Sequence, residues 1–266
     1  MKKALILILS GCLVGFYSIA QQATLKDPAS EKGYLSLSVG GAFPIGEFAS
    51  KNAQDIKSGI ADPGGLLDLS YMHPLRNSPF GWTATLRARF NPIDGKAEAS
   101  AFAAEESGFN WSEKHVSWET GAVLLGAYYH CPVAGRWQFR ASLLAGVADS
   151  RLPASSIIGV RNDNPPTELL QITTNKVSAV SFSALAKAGL VYFLNPRWSL
   201  IGELGFWYLK PTFKNVNQRI IDGKGLVVPG FISLSNATSV TISSYTNNYT
   251  QPMNTLDLSV GLVMQL

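Results

Sequence analysis

His115, Ser117 and Glu119 are spaced two residues apart. On an extended strand, residues of equal parity share a face. A histidine, a hydroxyl and a carboxylate on one face are the base, nucleophile and orienting group of an acyl-transfer site. Neighbours two apart on one strand need not reach each other productively, however. The favoured reading is a solvated histidine at a strand end, with no catalytic residue. The other histidines, His73 and His130, complete no His-x-x-x-His spacing, and there is no Cys-x-x-Cys. The common zinc patterns are therefore missing, and no metal or cofactor is expected. Neither a Gly-x-Ser-x-Gly elbow nor a Walker-type phosphate loop occurs.

A second set of residues has chemistry of another kind. Asp68, Glu119, Glu203 and Asp257 stand against Arg87, Arg89, Arg140 and Lys187, with the two signs in equal number. All lie within segments that alternate polar and apolar residues. In a confined interior such charges must pair and hydrogen-bond. Together they predict an ionic plug filling a lumen only wide enough for side chains; the alternative places some of them at solvated rims.

These residues need strands to hold them. Period-two alternation appears near 33–42, 64–73, 81–91, 116–131, 137–149, 177–194, 198–210 and 255–266. Three connections between them are short and rich in Pro, Gly and Asn. Four are long, covering roughly 43–63, 92–115, 150–176 and 211–254. Strict short/long alternation suits an all-β, eight-stranded antiparallel up-and-down transmembrane β-barrel, with short turns on one side of the membrane and long loops on the other.

Charged residues make up only 15% of the chain, below the roughly 25% of soluble domains. The rows opposite the apolar ones are mostly Ser, Thr, Gly and Ala. A lipocalin-like soluble barrel would need a denser charged surface, so the apolar rows are placed outward, in lipid. Tyr71, Trp82, Tyr128, Trp137, Tyr192 and Trp198 border the short turns and are expected at the membrane interface. Phe90, Trp118, Trp207 and Tyr208 form a second group toward the long loops. The net charge of +4 comes with no basic stretch suited to nucleic acid.

Lys2 and Lys3, an apolar run and Ser18-Ile19-Ala20 read as a signal peptide over 1–20, with the barrel domain over 21–266. Leu9-Ser10-Gly11-Cys12 offers the alternative of a lipidated Cys12. After cleavage at Ala20 a single cysteine, Cys131, remains, so no intramolecular disulfide forms.

The exit of the first strand, Ser38-Val39-Gly40-Gly41-Ala42-Phe43-Pro44-Ile45-Gly46-Glu47-Phe48, and the closing strand Leu256–Leu266 resemble the bacterial outer-membrane β-barrel family that includes the OmpA-type transmembrane domain. The resemblance is one of pattern over nearly the whole mature chain. It implies an integral outer-membrane protein, embedded in lipid, monomeric and not an enzyme. Its expected role is structural, or surface recognition of a protein partner through the loops; a narrow porin-like pore is the alternative. Two departures stand out. The chain ends in Leu266 instead of an aromatic residue, and no peptidoglycan-binding domain is seen. His115 and Ser117 also resemble the His-x-Ser of lipid A deacylase barrels, but Trp118 replaces that motif's Asn, which leaves the lipid-modifying reading weak. In the last loop, Leu226–Leu234 alternates partly and Ser239–Tyr245 is β-rich, so a protruding hairpin able to add a strand to a partner is expected there.

Overall fold

Alternation of side chains becomes closure of backbone. In the computed structural model the strands, in chain order, are β1 (Tyr34–Pro44), β2 (Gly64–Pro74), β3 (Phe80–Pro92), β4 (Phe109–Glu113), β5 (Ser117–Ala134), β6 (Trp137–Leu152), β7 (Ser156–Arg161), β8 (Glu168–Thr174), β9 (Val177–Phe193), β10 (Trp198–Leu209), β11 (Thr212–Gly225), β12 (Ala237–Thr250) and β13 (Thr255–Gln265). The described residues are 32–52, 55, 57–105, 108–113, 116–162, 168–225 and 237–266. The signal-peptide reading over 1–20, Cys12, His115 and Leu226–Leu234 lie outside them.

Eight strands form a closed barrel in the order β1-β13-β10-β9-β6-β5-β3-β2, with every pairing antiparallel. Closure removes the free edges that would otherwise invite aggregation. Outward rows are aliphatic and bare: Leu204 is 65% exposed, Val180 72% and Leu258 53%. They continue around the wall through Leu37, Leu69, Leu86, Leu125 and Leu143. A collar of this extent is far larger than the few hundred Å² a water-soluble monomer exposes. Hydrocarbon is the solvent that suits it.

Proline marks where the barrel stops. Pro44 ends β1, Pro63 precedes β2, Pro92 ends β3, Pro153 follows β6, Pro211 follows β10 and Pro252 precedes β13. All six lie on the long-loop side. Proline has no N–H to give to a ladder, so each removes one donor there. Pro44 still stands opposite Thr255 and Pro92 opposite Ser117, and Pro211 O accepts the Gln251 N–H (3.1 Å).

Three of the long connections are more ordered than expected. The stretches 92–115, 150–176 and 211–254, read as loops, contribute strands to a five-stranded sheet in the order β12-β11-β8-β7-β4. The last connection contains a hairpin of β11 and β12. Its second arm includes the expected Ser239–Tyr245, but its first is Thr212–Gly225, and Leu226–Leu234 lies outside the described residues. The hairpin is not a free ribbon, because β11 also pairs with β8. The β7–β8 hairpin carries the sheet on to β4. A helix, α1 (Gly95–Glu105), meets this sheet where the Phe102 ring lies 5.2 Å from that of Trp111.

The first long connection turns inward. A 3₁₀ turn, Gly46–Ala49, drives Phe48 into the barrel mouth, where it is wholly buried. The N–H of Ala61 donates to Phe48 O (3.1 Å) and that of Gly59 to Glu47 O (2.9 Å), pinning the returning limb. A Cβ at Gly59 would sit 2.5 Å from the Phe48 ring, so only glycine fits there. Ile60 holds φ of +46°, a strained position for a β-branched residue, on the same limb.

Candidate functional site

The lumen is layered. At the long-loop end, Phe48, Trp118, Trp207, Phe213 and Met253 are buried in one apolar cluster. Trp118 Nε1 donates to Gly59 O (2.9 Å), tying the inward-turned connection to β5. At the short-turn end, Met72, Tyr128, Val191, Ile201 and Val263 form a second cluster, packed by Tyr34 and Phe193. The charged groups lie between these two seals.

Five of them form one chain of ion pairs across the lumen. Arg87 Nη2 meets Asp257 Oδ2 at 2.5 Å and Arg87 Nε meets Asp68 Oδ1 at 3.5 Å. Lys187 Nζ then links Asp68 Oδ2 (3.6 Å) to Glu203 Oε2 (2.9 Å). These side chains come from β13, β3, β2, β9 and β10, so the chain ties opposite walls together. Each is at most 9% exposed. Buried charges in that setting are stable only through such mutual pairing.

Arg89 lies nearer the upper seal. It donates to Met253 O and Thr255 Oγ1, both at 3.2 Å. Its guanidinium sits 4.4 Å from the Trp207 ring centroid, with Arg87 4.6 Å from the same ring. The ring's negative face offsets part of the two cations' mutual repulsion. Arg140 lies nearer the lower seal, 5.8 Å from the Tyr128 ring and 6.0 Å from that of Tyr34. Its Nη1 donates to Met72 Sδ (3.2 Å). Beside it, Ser36, Ser70, Thr83 and Thr85 line a void of about 10 Å³, room for roughly one water.

Two placements differ from expectation. Glu119 does not enter the lumen. It faces outward on β5, 3.4 Å from both Arg151 Nη1 and Lys176 Nζ. Tyr128 is not at the membrane interface. It is 2% exposed and points inward. One cause serves both: pairing of β5 with β3 and β6 sets Trp118, Thr120, Ala122, Leu124 and Tyr128 inward. Odd-numbered residues of β5 therefore face out. Trp118 and Trp207, grouped by sequence toward the long loops, do lie at that end but point inward, into the upper seal. Trp82 and Trp137 remain exposed at the short turns, and Tyr71, Tyr192 and Trp198 are half-buried there. With Glu119 outside, the lumen holds Arg87, Arg89, Arg140 and Lys187 against Asp68, Glu203 and Asp257, four cations to three carboxylates.

Of the hydrolase-like set, His115 lies outside the described residues, and Ser117 and Glu119 share the outward face of β5. Ser117 is half-buried on the outward parity of β5, and Glu119 is already engaged by Arg151 and Lys176. Among the described residues, no group of His, Cys, Asp or Glu is arranged to hold a metal. Cys131 is half-buried and unbridged.

Above the barrel, Asp94 opens α1. Its Oδ1 accepts the Ala97 N–H (3.2 Å), and Oδ2 lies 3.2 Å from Lys51 Nζ. Partial burial raises this carboxyl. The Ala97 N–H, Lys51 and the Lys96 N–H outweigh that and hold it below its ordinary 3.8. Lys51 also meets Asp62 at 2.5 Å, joining the inward-turned connection to the base of the helix. Tyr249, at the foot of β12, donates to Gln251 Oε1. Burial, with nearby Asp55 adding to it, pushes its hydroxyl above the usual tyrosine range. On β12 itself Ile242 and Tyr245 are 55% and 54% exposed.

A closed eight-stranded barrel, aliphatic outside and ion-paired within, is a transmembrane barrel of the bacterial outer-membrane type. No protein-family model and no curated protein matches the chain. Solved structures resemble it in barrel architecture. A major outer membrane protein from Thermus thermophilus is 16% identical, with a TM-score of 0.44, covering 88% of this chain and 99% of that one. Neisserial surface protein A is 8% identical at a TM-score of 0.42, covering 88% and 97%. The outer membrane protease OmpT from Escherichia coli is 8% identical at 0.31, covering 92% and 99%.

Proposed function

We propose that this chain is a non-conducting, non-enzymatic outer-membrane barrel that presents a β-sheet at the cell surface for recognition by strand addition. The observation carrying this reading is a contrast of openness. The lumen is stopped by apolar clusters at both ends and crossed by ion pairs between them. The sheet above it ends in β12, a strand of 14 residues with no charge and no proline, regularly paired to β11 from Ser239 to Asn247 with register shifts only toward its two ends, and unpaired on its outer side among the described residues. Long edge strands are normally guarded by Lys, Pro or a bulge on the exposed side. An unguarded one offers main-chain donors and acceptors to an extended segment of a partner. The protein reaches the membrane through a signal peptide cleaved after Ala20 and acts there as a monomer.

Planar-bilayer recording tests the first half. The expected trace is flat; reproducible single-channel steps would establish the pore reading instead. Proline at Thr241 or Ser243 tests the second. Binding of whole cells to their surface partner should fall while the barrel stays heat-modifiable on gels. Undiminished binding by both proline variants would remove β12 from the role.

A further inference from the structure

The lipid-facing wall is not evenly packed. Where Ala88 on β3 pairs with Gly121 on β5, two small residues meet on the outward face. A Cβ at Gly121 would find no atom within 4 Å. Leu67, Leu86, Val147 and Val180 flank this floor and border an open, shallow groove of about 490 Å³. One outward row nearer the long loops, Glu119 pairs with Arg151, and Asp149 pairs with Gly121 beside the groove. Lys176, just ahead of β9, completes a cluster of two cations and two carboxylates. Glu119 lies 3.4 Å from Arg151 and from Lys176, and Asp149 lies 3.7 Å from Arg151. Every one of these side chains is about half exposed.

The height of the cluster matters. From Tyr129, beside the short-turn girdle, to Glu119 the strand climbs about 25 Å at ~3.3 Å per residue and a tilt of ~40°. That is the thickness of a barrel's apolar band, so the charges sit at the outer-leaflet headgroups and the groove lies among the acyl chains just beneath.

We infer that this groove and its charged rim form a seat for a zwitterionic phospholipid with a primary ammonium, phosphatidylethanolamine in type. An acyl chain lies over Ala88 and Gly121. The phosphate takes the guanidinium of Arg151 and the ammonium of Lys176, and the lipid ammonium takes the carboxylates of Glu119 and Asp149. A balanced rim gives a net-negative lipid no Coulombic advantage, whereas a headgroup carrying both signs satisfies both halves. The present contacts of 3.4–3.7 Å are long for charge-assisted bonds, so the headgroup displaces little.

Native mass spectrometry of the detergent-extracted barrel, with added phosphatidylethanolamine, phosphatidylglycerol or lipid A, tests this. The wild type should retain phosphatidylethanolamine about fivefold better than phosphatidylglycerol, as expected of two modest ion pairs, and better than lipid A. Gly121→Leu fills an open position and should fold, which heat-modifiability checks; it should lose most lipid retention. Glu119→Gln combined with Asp149→Asn removes the two groups that meet the ammonium, and should keep general retention and lose the headgroup preference. Equal retention of all three lipids by the wild type, or stronger retention of phosphatidylglycerol or lipid A, would overturn the inference. Wild-type retention by folded Gly121→Leu would do the same.

Discussion

The barrel and the sheet above it obey the same two-residue period but resolve it differently. In the barrel, the ladder closes on itself and each strand has one greasy row and one row facing a filled lumen. Its solvent is hydrocarbon, so a misplaced charge on either face is costly. In the sheet, strands from three connections meet and two of them, β4 and β12, remain edges. Its edge strand β12 is mostly Thr, Ser, Asn and Tyr and largely wet over 241–248, while water is excluded from only a few side chains farther in, such as Ile157, Leu169 and Ile172. Tolerance to change should therefore differ sharply between the two regions, with the barrel rigid in its requirements and β12 free to vary.

The largest effect should come from the lumen. Arg87→Met strands Asp68 and Asp257, losing about 3–5 kcal/mol, as for other buried pairs broken on one side. Urea unfolding in vesicles reads this. Adding Asp257→Leu should return most of the loss, and a double variant no more stable than the single one would refute the pairing. Next comes the outer wall. Leu204→Arg should cost about 2–4 kcal/mol near the bilayer midplane. Tyr245→Arg on β12 should stay within about 0.5 kcal/mol. Equal losses at the two sites would erase the contrast between the regions.

A smaller effect is expected at their junction. Asp94→Ala removes the side-chain acceptor at the start of α1 and should cost about 1 kcal/mol, confined to the helix. Its carboxyl titrates lower in the folded protein than in the unfolded chain. The stabilisation it gives is thus full above the unfolded value and disappears as pH drops through the folded one. Hydrogen exchange of α1 should quicken below about pH 4 while that of the barrel strands holds; the Asp94→Ala protein should lack this step. The smallest change belongs to Glu119→Gln, under about 1 kcal/mol and weaker still in high salt. A loss of several kcal/mol would return Glu119 to the lumen.

Much of the barrel could be read from the chain. Alternation located the eight strands to within a few residues, since rows such as Leu256–Leu266 and Trp82–Phe90 have one apolar and one polar face. Facing was harder. In β5 the run Gly121-Ala122-Val123-Leu124-Leu125-Gly126 is apolar at both parities. Only pairing with its neighbours decides that Leu124 points in and Leu125 out, and Glu119 and Tyr128 follow that decision. Phe48 gave no periodic signal, because a single ring in a Gly- and Asn-containing connection has no row to belong to. The sheet strands are short, and partners come from different connections: Trp111 meets Gly159 and Asp222 meets Leu170. Such pairings depend on how the barrel staves bring the connections together, and no local pattern records it.

The prolines at the rim have a mechanical consequence. Pro44, Pro63, Pro92, Pro153, Pro211 and Pro252 each withhold one amide hydrogen at the boundary. The ladder thins there without breaking, since the Gln251 N–H still reaches Pro211 O and the Met253 N–H reaches Leu209 O. A pull on the exposed ribbon therefore meets fewer rungs at the rim than in the closed cylinder below.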